Sequence, residues 1–117
     1  MKKVLIIDDS SVVRRLIKYI VTKNGYEVVG EASNGRIGLK KYKDLLPDIV
    51  TMDLVMDEMT GTETLKAIIK ENPLANVIII SSMGQELIIR EAISLGAKAF
   101  ILKPFNENEI MNALNML

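Results

Sequence analysis

One feature limits this chain more than any other: five short apolar runs alternate with five longer segments of helical period. Val4-Leu5-Ile6-Ile7, Ile49-Val50-Thr51-Met52, Val77-Ile78-Ile79-Ile80 and Ala99-Phe100-Ile101-Leu102 are runs of the length and character of fully buried strands. The stretch from Tyr26 to Ala32, around Val28-Val29, is shorter in its apolar part and more polar, which predicts an edge strand. Strict βα alternation with continuous apolar strands means an α/β fold, with a parallel sheet covered by helices on both faces. Crossovers between parallel strands are right-handed, so the C-terminal ends of all the strands lie along one edge. In open sheets of this kind ligands bind at that edge, near the topological switch point.

The intervening segments carry helix signals. Ser10 and Ser11 are N-cap residues for a helix from Val12 to Lys23 that Asn24-Gly25 ends. Its inner arc is expected to hold Val12, Val13, Leu16, Ile17, Tyr19, Ile20 and Val21. A second helix runs from Asn34-Gly35 to about Leu46, with Gly38, Leu39, Tyr42, Leu45 and Leu46 inward. A third spans Thr62 to Asn72 on Leu65, Ile68 and Ile69, and Asn72-Pro73 stops it. The fourth, Gly84 to Leu95, turns Ile88, Ile89, Ala92, Ile93 and Leu95 inward and ends at Gly96. The fifth, Asn106 to Leu117, uses Ile110, Met111, Ala113, Leu114 and Leu117. No repeat, low-complexity tract or linker interrupts the 117 residues, which predicts one domain.

The strand ends now carry chemistry. The first strand runs into Asp8-Asp9, the third into Asp53, the fourth into Ser81-Ser82 and the fifth into Lys103-Pro104. Singly, each has a plainer reading: Asp8-Asp9 as helix-capping residues, Asp53 as a turn residue, the serines as strand ends, Lys103 as a solvated cation. Together they bring three carboxylates, a hydroxyl and an ammonium to one edge. Packed carboxylates repel one another unless a cation joins them. The chain has His 0 and Cys 0, so any metal is held by oxygen, which points to a hard cation such as Mg²⁺, Mn²⁺ or Ca²⁺. An aspartate can be the nucleophile toward phosphorus, and phosphoryl transfer needs mainly positioning and charge cancellation.

Charge and hydropathy remove other classes. Lys+Arg 15 balance Asp+Glu 15, so no basic excess collects phosphates and no nucleic-acid partner is expected. Met1-Lys2-Lys3 followed by an apolar run imitates a signal peptide, but the run is too short and ends in Asp8-Asp9. No stretch reaches the roughly 18 apolar residues of a membrane span. A cytoplasmic location without membrane attachment is expected.

Over its whole length the chain resembles the receiver domains of two-component response regulators. The resemblance rests on Asp8-Asp9, on Met52-Asp53-Leu54-Val55-Met56-Asp57-Glu58-Met59-Thr60-Gly61, on Ser81, and on Gly96-Ala97-Lys98-Ala99-Phe100-Ile101-Leu102-Lys103-Pro104-Phe105. The Ser81-Ser82-Met83-Gly84-Gln85 segment is most similar to single-domain receivers of chemotaxis, without an output domain. The resemblance implies a flavodoxin-like (βα)5 doubly wound sheet of strand order 2-1-3-4-5. It implies Asp53 as phosphoacceptor and Mg²⁺ held by Asp9, by Asp8 through water, by Asp53 and by the backbone carbonyl of Val55. Ser81 and Lys103 would contact the phosphoryl oxygens, Ser81 and Phe100 would form the switch, and the Lys103-Pro104 peptide would be cis.

The implied partners are a chemotaxis-type histidine kinase, a motor or adaptor protein and a phosphatase, with the chain itself a monomer. The implied output surface is the face of the fourth helix, fifth strand and fifth helix, where Leu87, Arg90, Phe100 and Met116 are expected outside. Such a domain is no ordinary enzyme: it catalyses its own phosphorylation and, with apolar Val55 and Met83 unable to bind an attacking water, a slow autodephosphorylation. Asp57 stands where the family usually has proline. A shuttle receiver of a phosphorelay, or a receiver cut from a DNA-binding regulator, shares these motifs. A flavodoxin-like electron carrier would want a Ser/Thr/Gly loop in place of Asp8-Asp9, and an aspartate-nucleophile phosphatase an Asp-x-Asp after the first strand.

Overall fold

The computed structural model describes residues 1–56 and 58–117. Five strands, β1 (Lys3–Ile7), β2 (Glu27–Ala32), β3 (Ile49–Met52), β4 (Val77–Ser82) and β5 (Ala99–Lys103), alternate with α1 (Ser11–Lys23), α2 (Gly35–Leu45), α3 (Gly61–Glu71), α4 (Glu86–Leu95) and α5 (Glu107–Asn115). All strand pairs are parallel, and the order is β2-β1-β3-β4-β5. This is the flavodoxin-like doubly wound fold that the alternation and the resemblance imply. The chain leaves β1 for β2 on one side and then returns to β3 on the other, so the switch point lies between β1 and β3.

Successive strand residues point to opposite faces. Leu5, Ile7, Val50, Met52, Val77 and Ile79 therefore pack with α2, α3 and α4. Val4, Ile6, Ile49, Ile78, Ile80 and Ile101 pack on the other face with α1 and α5. The Gly38 position shows how tight the first layer is: a Cβ there would lie 2.6 Å from Ile7 Cδ1.

Cap chemistry sets the helix starts. Ser10, Asn34, Thr60 and Asn106 each accept a backbone N–H in the first turn of their helix. Thr60 with Glu63, and Asn106 with Glu109, complete reciprocal capping boxes.

The inner arcs are narrower than the sequence pattern predicts. In α1 only Ile17, Ile20 and Val21 are buried, while Val12, Leu16 and Tyr19 face solvent. The sheet offers α1 one stripe, and a seven-residue arc is wider than that stripe. Leu46 is also outside: it is the C-cap of α2 at φ 47, and leaving the helix turns its side chain away from the core. Ile88 and Ile93 of α4 are partly exposed, and only Ile89 and Ala92 are buried. β2 lies at the sheet edge as its polarity predicts, but with 6 residues it matches β4 in length. The Lys103-Pro104 peptide is cis.

Candidate functional site

Strand register builds the site. Ile7 pairs with Met52, so Asp8 and Asp53 are the next residues on neighbouring parallel strands. Asp53 N–H donates to the Ile7 carbonyl at 3.0 Å, and Asp8 N–H to the Ala32 carbonyl at 3.0 Å. Carboxylate oxygens of Asp8, Asp9 and Asp53 lie within 4.8 Å of one another. Asp8 and Asp53 are buried and Asp9 is exposed, so the cluster opens to solvent on one side.

Lys103 reaches this cluster from the end of β5, across the end of β4. Its Nζ lies 3.0 Å from Asp8 Oδ2 and 3.5 Å from Asp53 Oδ2. Burial works against the charge on Lys103, but the two carboxylates, Asp8 first, hold the ammonium above its ordinary pKa. Asp53 moves upward as well. Burial raises it most and the Asp8 carboxylate adds to that, while Lys103 and the Val55 N–H offset only part of the rise. The pocket is therefore short of positive charge even with its lysine in place.

The turn after β1 is fixed from several sides. Ser10 N–H donates to Asp8 Oδ1 at 2.9 Å. Arg14 of α1 donates through Nη1 to the Asp8 carbonyl at 2.6 Å and through Nε to Glu31 Oε1 of β2 at 3.2 Å. The plainer reading of Asp8 as a capping residue is thus partly met, since Asp8 steadies the turn that Ser10 caps. The loop after β3 is held by close backbone approach. A Cβ on Gly61 would collide with the Asp53 carbonyl and lie 2.5 Å from Leu54 Cα, so only glycine fits where α3 begins.

The strand ends bring Asp8, Asp9, Asp53 and Lys103 together. Val55 follows, exposed, with its N–H 3.4 Å from Asp53 Oδ1. Ser81 is buried at the end of β4, beside β3, but its hydroxyl donates to Gln85 Oε1. Phe100 is half-exposed and faces a groove shared with Ile89, Arg90 and Ile93 of α4. Leu87 and Met116 are exposed. Asp57 lies outside the described residues. Arg14 and Gln85 are two site neighbours whose contacts the sequence does not reveal. Arg14 reads there as a polar-face residue, and Gln85 as a residue in the first turn of the fourth helix.

A doubly wound parallel sheet with a carboxylate cluster and a lysine at its switch-point edge is the architecture of a receiver. The sequence model of the response regulator receiver domain matches residues 4–115, and the chain belongs to that family. Within it, the chain is 53% identical over 114 residues to the chemotaxis protein CheY of Thermotoga maritima, covering 97% of this chain and 95% of that one. It is 46% identical to CheY of Bacillus subtilis, covering 97% and 94%. Among solved structures, the CheX-CheY-BeF3-Mg complex from Borrelia burgdorferi superposes with a TM-score of 0.92 at 33% identity, covering 97% of this chain and 86% of that chain. No helix among the described residues is long and apolar enough to cross a membrane.

Proposed function

We propose that this receiver takes a phosphoryl group from a histidine kinase onto Asp53 and relays the change to a motility motor or adaptor protein, as a CheY-type chemotaxis regulator. The observation that carries this reading is the packing of Asp53 against Asp8, Asp9 and Lys103 at the switch point of a receiver-family sheet. The donor set suits a hard divalent cation, because all its ligands are oxygens and the carboxylates outnumber the one ammonium beside them. Asp8, Asp9, Asp53 and the Val55 backbone carbonyl would hold Mg²⁺. When bound, the ion supplies positive charge that offsets the carboxylates and the phosphoryl oxygens.

In the transfer, an Asp53 carboxylate oxygen forms the new bond to phosphorus. The bond from phosphorus to the donor nitrogen of the kinase histidine breaks, and its electron pair returns to that nitrogen. Lys103 is placed to pair with a phosphoryl oxygen, because it already spans Asp8 and Asp53. Ser81 lies one strand away and can donate its hydroxyl once that hydroxyl is free. Neither Val55 nor Met83, both exposed and apolar, can hydrogen-bond an attacking water, so hydrolysis of the acyl phosphate is slow and a phosphatase ends the signal.

A phosphoryl group adds roughly −1.5 to −2 charge and three acceptor oxygens. These draw the Ser81 hydroxyl inward, and Phe100 follows into the space beside α4. The surface carrying Leu87, Arg90, Phe100 and Met116 then changes for its partner. Full conversion from 1% to 99% active requires about 5.5 kcal/mol of differential stabilisation.

Intact-mass measurement after incubation with Mg²⁺ and acetyl phosphate tests this reading. A phosphate-sized gain that Asp53→Asn abolishes supports it. No gain, or a gain that survives the substitution, overturns it.

A further inference from the structure

The Ser81 hydroxyl, unlike Lys103, is engaged with a partner outside the carboxylate cluster. Ser81 is fully buried, and its Oγ–H donates to Gln85 Oε1. The same amide oxygen accepts the Ser82 N–H at 3.1 Å. One side-chain oxygen thus ties together the last two residues of β4. Gln85 is also the N-cap residue of α4, yet its side chain makes no capping bond to that helix. The other four helices all have a capping side chain turned onto their own first turn. The carboxamide of Gln85 is turned back to the strand instead.

A serine hydroxyl carries a single proton to donate. It cannot serve Gln85 and a phosphoryl oxygen at once. The residue that holds it at rest therefore sets how readily the phosphoryl group can take it. We propose that Gln85 is a latch. It is a positioning residue that holds the Ser81 hydroxyl in the resting state and must release it before Ser81 can bind the phosphoryl group.

This inference rests on the reading of Asp53 as phosphoacceptor and extends it to how α4 is coupled to the site. Release unties the 82–85 turn at the residue where α4 starts. Ser82, Met83 and Gly84 of that turn are exposed. Ser81 and α4 then move as one event, with the latch setting the resting population of the two states.

The test uses beryllofluoride, a phosphoryl mimic, titrated with Mg²⁺ and read by ¹⁹F NMR of the bound fluorides. Gln85→Ala removes the acceptor, and Gln85→Leu removes it while retaining side-chain bulk. Both are expected to half-saturate at roughly two- to tenfold lower beryllofluoride than the wild type, the range set by one net hydrogen bond. With Ser81→Ala in the background, the same Gln85 substitutions are expected to shift nothing. A purely structural role for Gln85 would not produce that dependence on the hydroxyl.

No lowering in either variant, or an equal lowering without the hydroxyl, overturns the latch. Loss of the folded circular-dichroism signal in both variants also overturns it, by assigning Gln85 to stability alone. If the wild type binds no beryllofluoride, the phosphoacceptor reading fails first and the latch fails with it. If binding is normal and only the Gln85 effect is missing, the latch alone fails.

Discussion

Replacing Asp53 by Asn stabilises the metal-free protein. Asp53 sits within 4.8 Å of both other carboxylates and 3.5 Å from Lys103 Nζ. Burial is the largest cost on the Asp53 charge and the Asp8 repulsion the next, and together they outweigh the Lys103 attraction, while the exposed Asp9 adds least. Removing a charge so placed is expected to gain about 2 kcal/mol, the upper end of what relieving one unfavourable charge gives. Asn retains an acceptor for the Val55 N–H and removes the charge.

A gain of about 2 kcal/mol raises the melting temperature of a domain this size by roughly 5–10 °C. The pH dependence has a definite sign. Burial and Asp8 raise the folded-state pKa of Asp53. Its contribution to stability is therefore fully present below the unfolded carboxylate value and is lost as pH rises through the folded value. The gap between Asp53→Asn and wild type should be small near pH 4 and widen toward neutrality. The assay is thermal denaturation by circular dichroism in EDTA, repeated with Mg²⁺. Added Mg²⁺ should narrow the gap, because the wild type gains more from binding. A variant no more stable than wild type at pH 7 in EDTA, or a gap that narrows with rising pH, would refute the charge argument.

Two further outcomes follow from the same geometry. Lys103→Met leaves the buried Asp8 carboxylate without its cation. We expect a loss of about 2–4 kcal/mol in urea denaturation at neutral pH, and much slower acetyl phosphate labelling by mass. Gly61→Ala places a Cβ against the Asp53 and Leu54 backbone. It should cost about 3 kcal/mol or more by urea denaturation, far beyond the ordinary effect of Ala at a helix start.

The sheet could be read in the sequence because its three central strands are buried on both faces. Ile49–Met52 and the Val77–Ile80 part of β4 are near-continuous apolar runs with no alternation to misread. The carboxylate cluster could be read for a related reason: parallel strands put every C-terminal end on one edge, so Asp8, Asp53 and Lys103 follow from topology alone. The faces of the helices were harder. Val12, Leu16 and Tyr19 share the helical period of Ile17, Ile20 and Val21, and periodicity cannot say how wide a stripe the sheet will cover. The Gln85 contact was hidden for another reason. A loop amide can turn forward to cap its helix or back to its strand, and sequence does not distinguish the two.

The two halves of the site are held differently, and the difference suits a switch. On the carboxylate side the described residues around Asp8, Asp53 and Gly61 are held by several contacts. Arg14 and Ser10 brace Asp8, Gly61 closes on the Asp53 backbone, and Thr60 starts α3 with a complete capping box. Phosphoryl transfer gains from such rigidity, since its catalysis is mostly placement. On the β4–α4 side little is fixed. α4 buries only Ile89 and Ala92, lacks a side-chain cap, and is tied to β4 through one glutamine oxygen. An element with few buried contacts opens at small free energy. Under the proposed phosphorylation, charge added at Asp53 would leave β1 and β3 in place and move the β4–α4 turn, because α4 has few buried contacts to undo.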